Sequence, residues 1–166
     1  MLTGGQGFVG SGIAAALPGA GHDVVVAARR PSEAEIASGH AIACDIGRDV
    51  DPGVWLPRLH GIDAVVNCAG ILRERGSNTF QTVHVEAPLA LFRACMQAGV
   101  RRVVQISALG DARDAEFIAS KHRCDDALAL LNHGLEPARQ LVWTVLRPPV
   151  VYSAAGFGHG WLCHPG

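Results

Sequence analysis

Several things are scarce in this chain, and each scarcity narrows the reading. No uninterrupted run of about 18 apolar residues occurs, so no segment is expected to cross a membrane as a helix. No basic stretch precedes the apolar start, so no secretory leader is expected. Lysine and arginine number 14 against 15 aspartates and glutamates, and the basic doublets are Arg29-Arg30 and Arg101-Arg102, too short to make a tract. With a formal net charge of -1, no broad field favours nucleic acid or an anionic membrane. The five cysteines (Cys44, Cys68, Cys95, Cys124, Cys163) are widely spaced, with no Cys-x-x-Cys. Neither a zinc site nor a dithiol redox motif is expected, and reduced thiols in a cytoplasmic protein are the simplest reading. His159, Cys163 and His164 lie together near the end, but no second cluster completes a metal site, so no metal is expected. Tyrosine occurs once, at Tyr152.

What is abundant points the other way. Of 166 residues, 49% are hydrophobic and 20 are glycine, which suits a single α/β domain with tight turns. Short β-branched runs alternate with helical stretches. Leu2-Thr3 reads as the stub of a strand, Asp23 to Ala28 as the second, and Ala41 to Cys44 as the third. Asp63 to Cys68, Arg102 to Ser107 and Leu141 to Leu146 follow as strands. Helices are expected over Phe8 to Leu17, from a Ser32 cap through Ala37, over Thr79 to Ala98, and over Ala115 to Leu131. Pro52 to Leu59 reads as a weak helix or turn. Pro88 should kink the long helix and Gly99 should end it. Such alternation predicts a doubly wound parallel sheet of the Rossmann type, with strand order 3-2-1-4-5-6. Residues 1–152 would form this domain and 153–166 an irregular tail.

The strongest motif is Gly4-Gly5-Gln6-Gly7-Phe8-Val9-Gly10, lying between a strand and a helix. Gly4, Gly7 and Gly10 are spaced G-x-x-G-x-x-G, and each has a physical task. Gly4 allows a tight turn, Gly7 allows backbone to approach a pyrophosphate, and Gly10 lets the helix close on the sheet. Free N–H groups at the helix N-terminus then favour phosphate. The alternative is a plain glycine-rich turn, and the flanking pattern disfavours it. In a sheet of this order a ligand binds at the switch point between the first and fourth strands, where Gly4–Gly10 and Cys68–Gly70 both fall.

An NAD site usually places an acid about 20 residues beyond the loop, on the ribose 2′-hydroxyl. Here the second strand ends in Ala27-Ala28-Arg29-Arg30-Pro31, without one. A guanidinium suits a 2′-phosphate, so NADP(H) is favoured over NAD(H), through Arg29 first and Arg30 second. The alternative is that both are ordinary solvated arginines. Asp45 either accepts from an adenine amino group or opens a local turn.

Taken together, Thr3–Gly10, Cys44-Asp45-Ile46, Asn67-Cys68-Ala69-Gly70, Ile106–Gly110 and Leu146-Arg147-Pro148 resemble the extended and atypical short-chain dehydrogenase/reductases. The likeness is to NAD(P)-dependent epimerase/dehydratase-like proteins, similar to the NADPH-binding accessory subunit of respiratory complex I. That resemblance implies that Phe8 and Val9 cover the pyrophosphate and that Asp45 and Ile46 flank the adenine. It sets Cys68, Ala69 and Gly70 on the ribose side and Leu146-Arg147-Pro148 beside the nicotinamide. A homodimer is implied by analogy alone.

Catalytic relatives carry Tyr-x-x-x-Lys plus a Ser or Thr, the tyrosine exchanging the substrate proton. The matching stretch here is Phe117-Ile118-Ala119-Ser120-Lys121, so Lys121 is in place and Phe117 holds the tyrosine position. Phe117 can exchange no proton, a loss typically worth ~10²–10⁴ in rate. Ser107 ends the strand, although in many relatives the hydroxyl falls one or two residues later, at Ala108 or Leu109. His84 falls where relatives often carry a supporting asparagine, or is a partly buried helix histidine. The first strand is clipped, and Ala154–Gly160 does not resemble the substrate-binding continuation of extended members. A fragment and misassigned ends are both open. Three functions follow: an NADP(H)-dependent oxidoreductase or epimerase, a non-catalytic NADP(H)-binding structural or redox-sensing module, and a truncated inactive enzyme.

Overall fold

A computed structural model describes residues 1–149 and residue 151. The expected domain boundary at Tyr152 and the tail 153–166, including His159, Cys163 and His164, lie outside the described residues. Six strands form one sheet: β1 (Leu2–Thr3), β2 (Val26–Ala28), β3 (Ala41–Ala43), β4 (Ala64–Asn67), β5 (Arg102–Ile106) and β6 (Val142–Leu146). Their order is β3-β2-β1-β4-β5-β6 and every pairing is parallel, the doubly wound arrangement expected from the alternation.

The second strand is shorter than the Asp23–Ala28 run suggests. Its neighbours set the limit. β1 offers two residues for pairing, Leu2 opposite Val26 and Thr3 opposite Ala27, and β3 offers three. Val25 still accepts from the Leu2 N–H at 2.8 Å, but Val24 and Val25 have no ladder to join. Intrinsic β preference does not make a strand without a partner edge.

The helices are α1 (Phe8–Ala16), α2 (Glu33–Ala37), α3 (Pro52–Trp55), α4 (Ala87–Ala98) and α5 (Glu116–Leu130). At α2 the Ser32 hydroxyl accepts from the Glu35 N–H at 3.2 Å, and the Glu35 carboxylate accepts from the Ser32 N–H at 2.7 Å. That reciprocal pairing is a capping box. The disturbance expected at Pro88 takes the form of a π-turn over Thr82–Glu86, leading straight into α4. Proline has no N–H to give an i−4 carbonyl, and the wider turn is closed instead by Ala87 N–H to the Thr82 carbonyl. Gly99 ends α4 with φ +78°, where glycine is favoured.

Trp55 from α3, Leu91, Phe92 and Cys95 from α4, and Cys124 and Leu128 from α5 bury against Val65 and Val103 of the sheet. This core fixes α4 and α5 beside β4 and β5. The carboxyl ends of those strands thereby meet side chains of α5 and of the π-turn that leads into α4. No helix among the described residues is long and apolar enough to cross a membrane.

Candidate dinucleotide site

The glycine loop is built as the spacing requires. Gly4 has φ +67°, a conformation that glycine adopts without a Cβ penalty. A Cβ there would stand 2.7 Å from the Cys68 carbonyl and the Ala69 nitrogen, so the turn lies directly against the end of β4. The Gly7 N–H donates to the Gly4 carbonyl at 2.9 Å. A side chain at Gly10 would collide with that same carbonyl oxygen, and Gly10 is accordingly what lets α1 start so close to the loop.

The first helical hydrogen bond of α1 runs from Ser11 N–H to the Gly7 carbonyl at 2.8 Å. The N–H groups of Phe8, Val9 and Gly10 therefore precede the ladder. Gly7 caps the helix without a side chain, so no side-chain cap bond is made at this helix start.

Beyond the strand ends lies a cleft of about 380 Å³. Gly4, Gly7, Arg29, Ile46, Cys68, Ala69 and Gly70 all line it, so two separate sequence segments predicted to meet do meet. Phe8, Val9 and Gly10 stand behind Gly7 in the first turn of α1. Arg29 lines the cleft and Arg30 does not, although both are exposed. Asp45 is absent from the lining and is occupied locally. Its carboxylate accepts from the Gly47 N–H at 3.3 Å and pairs with Arg48 at 3.6 Å. Burial pushes the Cys68 thiol up to about 11, so it lines the cleft as a neutral group. Glycines, free amides, an exposed guanidinium and an apolar wall make a donor set that fits a dinucleotide.

The motif residues of α5 lie deeper. The Lys121 ammonium donates to the Ala69 carbonyl at 2.8 Å and the Ile106 carbonyl at 3.1 Å, tying the ends of β4 and β5 together. Burial pushes its pKa down to about 8. Phe117, one turn earlier, is half-buried in a ring cluster. Its centroid lies 5.5 Å from His84 and 6.4 Å from Phe80, both edge-on. Ser107 is buried, and its hydroxyl donates to Asp125 Oδ2 at 2.7 Å. The same oxygen receives Arg147 Nε at 3.0 Å, while Asp125 Oδ1 has no partner. Arg147 thus sits beside Ser107 through a shared carboxylate.

Three features escaped the sequence reading. One is the Ser107–Asp125–Arg147 cluster. A second joins β1, β4 and β5: Thr3 Oγ1 donates to Asn67 Oδ1, and Asn67 Nδ2 donates to Gln105 Oε1 at 2.7 Å. The signal for it was present, since each of these strands carries one polar residue at or near its carboxyl end. The third is the pair of partners of His84, a residue the sequence singled out but left unpartnered: it is fully buried, with both ring nitrogens engaged by the Ile71 N–H and the Ser120 hydroxyl.

The parallel sheet in the order β3-β2-β1-β4-β5-β6, with a glycine loop at its switch point, has the Rossmann architecture. A model described as the NAD dependent epimerase/dehydratase family matches residues 1–123, and the chain belongs to that family. No curated protein matches. Among solved structures, MoeE5 in complex with UDP-glucose and NAD is 27% identical, with TM-score 0.64, covering 88% of this chain and 52% of that one. UDP-N-acetylglucosamine 4-epimerase from Bacillus cereus is 18% identical, with TM-score 0.69, covering 88% and 51%. UDP-glucuronic acid 4-epimerase from Bacillus cereus in complex with NAD is 19% identical, with TM-score 0.64, covering 91% and 56%. The chain spans about half the length of these structures.

Proposed function

We propose that this chain binds NADP(H) in the cleft between the Gly4–Gly10 loop and Cys68–Gly70. The observation that carries the reading is Arg29. It lines the cleft at the carboxyl end of β2, exposed and with no acid beside it in the strand-end sequence. The α1 amides would take the pyrophosphate, Ile46 would pack on the adenine, and Lys121 would face the nicotinamide ribose. Asp45 would reach the adenine amino group only by leaving its turn. A bound nicotinamide would supply hydride chemistry at its C4 carbon. Reduced Cys44, Cys68, Cys95 and Cys124 agree with a cytoplasmic setting.

Titration of NADPH and NADH into wild type and Arg29→Ala tests the assignment. A lost charge-assisted bond is worth about 1.5–3 kcal/mol, so NADPH affinity should fall by at least about tenfold. NADH should change by less than about twofold. Equal losses would overturn the role of Arg29. Failure of both cofactors to raise Tm in wild type would remove the cleft as a binding site.

A second reading is favoured by Phe117 and Ser107. The tyrosine position carries no hydroxyl, and the Ser107 proton is committed to Asp125. On these grounds the chain is a binding module, structural or redox-sensing, rather than an enzyme of this family's usual type. Neither wild type nor Phe117→Tyr should oxidise NADPH with carbonyl substrates, measured by loss of its absorbance. Turnover by wild type would overturn this reading, and turnover only in Phe117→Tyr would make the chain an enzyme that has lost its acid.

A further inference from the structure

We infer that Asn78 is the residue that reads the adenine of the dinucleotide, its side-chain amide pairing with the edge of the base in place of Asp45. This rests on the cleft being the dinucleotide site.

The turn at Asp45 is closed on itself. Its carboxylate takes the Gly47 N–H and Arg48, and its own N–H donates to Asp49 Oδ2 at 2.9 Å. That oxygen also receives Arg58 Nη1 at 2.6 Å, which fastens the turn to the stretch after α3. The N–H groups of Arg48 and Asp49 both return to the Asp45 carbonyl, at 2.9 and 2.8 Å. Ile46 faces the cleft from this turn, and Asp45 does not.

Asn78 supplies what the turn withholds. It lines the cleft with Ala27, Cys44, Ile46 and Val83, an apolar set that suits a base. Its backbone is spent on a tight hairpin. The Arg75 N–H donates to the Asn78 carbonyl at 3.0 Å and the Asn78 N–H to the Arg75 carbonyl at 3.1 Å, with Gly76 at φ +59° in the bend. Phe80 N–H to Glu74 Oε1 at 2.7 Å and Thr82 Oγ1 to the Ser77 carbonyl at 2.9 Å fasten the hairpin in turn. The side-chain amide is left over, for it makes no hydrogen bond among the described residues.

Gly47 shows that this amide has a built seat. Gly47 is buried and its φ is not positive, so the backbone there does not call for glycine. Space does. A Cβ on Gly47 would collide with Asn78 Oδ1 and stand 3.1 Å from Asn78 Cγ, and all three of its nearest atoms belong to Asn78. The amide thus lies against the residue next to Ile46, where the base would pack. A carboxamide so placed matches adenine. Oδ1 accepts from the amino group at C6 while Nδ2 donates to N7, the two-bond pairing that suits asparagine to this base. A carboxylate makes only the first of these bonds.

Reduced nicotinamide hypoxanthine dinucleotide phosphate differs from NADPH in carrying oxygen in place of the C6 amino group, so it cannot donate to Oδ1. Affinities for both are measured by calorimetry on wild type, Asn78→Ala, Gly47→Ala and Asp45→Ala, with circular dichroism to verify folding. Wild type should bind NADPH at least about tenfold more tightly than the analogue. Asn78→Ala should bind NADPH about tenfold more weakly and the analogue within about threefold of wild type, so the preference collapses. Gly47→Ala, which pushes the amide off its seat, should lower the preference too, and Asp45→Ala should keep it above about fivefold. No preference in wild type, a preference kept in Asn78→Ala, its loss in Asp45→Ala, or equal weakening of both ligands by Asn78→Ala overturns the inference. The last of these is what a merely structural role would give. Should wild type bind neither ligand nor NADH, the cofactor reading itself fails and carries this one with it, an outcome distinct from binding without preference. If Asn78→Ala does not fold, Asn78→Leu, of similar shape without the polar edge, is judged by the same criterion.

Discussion

At the scale of single residues, the buried imidazole of His84 makes stability depend on acid. Burial first, and the nearby Lys121 charge second, push its pKa down to about 3 against the Ile71 hydrogen bond, which raises it. An unfolded histidine titrates near 6.5, so between roughly pH 6.5 and 3 the unfolded chain binds the extra proton. The contribution is fully present above that window and is lost as pH falls through it. Urea titrations between pH 7 and 4.5 should show wild type losing as much as about 1.4 kcal/mol per pH unit more than His84→Gln once below pH 6. Parallel curves for the two proteins would show that His84 takes up its proton alike in the folded and unfolded chain.

Residue types were the most legible part of the site, and residue partners the least. Gly4, Gly7 and Gly10 announce themselves because a missing Cβ is written in the sequence and its reason is purely local. Arg29 was found by its offset from the loop. Asp45 was readable two ways, and the structure gives it the turn with Gly47 and Arg48. Ser107 was recognisable as a hydroxyl at a strand end, but its use was not. Its partner Asp125 is 18 positions away on another element. His84 and Ser120, 36 positions apart, are equally invisible until the helices are packed.

At the scale of elements, the strands were legible to within a residue or two wherever a neighbour could pair with them. β2 shows the limit, because its length is set by the shortness of β1. The helix ends at Ser32 and Gly99 were legible because caps are local chemistry. The π-turn was not, since the proline signals a break without saying how the backbone resolves it.

The ladder Thr3–Asn67–Gln105 is also a property of elements, for it joins three strands at their carboxyl ends. All three side chains are buried, with Asn67 and Gln105 fully so. Replacing Asn67 by Ala removes the acceptor of Thr3 and Ala69 and the donor to Gln105 together. Leaving buried polar groups unpaired costs about 1–3 kcal/mol each. Chemical denaturation of Asn67→Ala should therefore show a loss of at least about 2 kcal/mol. A loss below about 0.5 kcal/mol would mean that the three side chains re-pair without it.

At the scale of the whole molecule, the strand order followed from alternation alone, because buried parallel strands joined by helices have few right-handed solutions. What alternation could not supply was the relation between α4, α5 and the strand ends. That relation is what brings Lys121 onto the Ala69 carbonyl, His84 onto the Ile71 amide and Ser107 onto Asp125.

The polar ladder has a bearing on how the sheet reaches its native alignment. Val65-Val66 in β4 and Val103-Val104 in β5 are nearly interchangeable, so apolar content alone would tolerate a slip of two residues, which keeps every side chain on its own face. Such a slip would set Asn67 beside Val103 or Gln105 beside Val65, rather than Asn67 beside Gln105 as in the native pairing. It would strand amides in a dry interior. The ladder therefore acts as an alignment key for otherwise repetitive strands. It stands at the end of the sheet where a slip would also pull Ala69 and Gly70 away from the glycine loop.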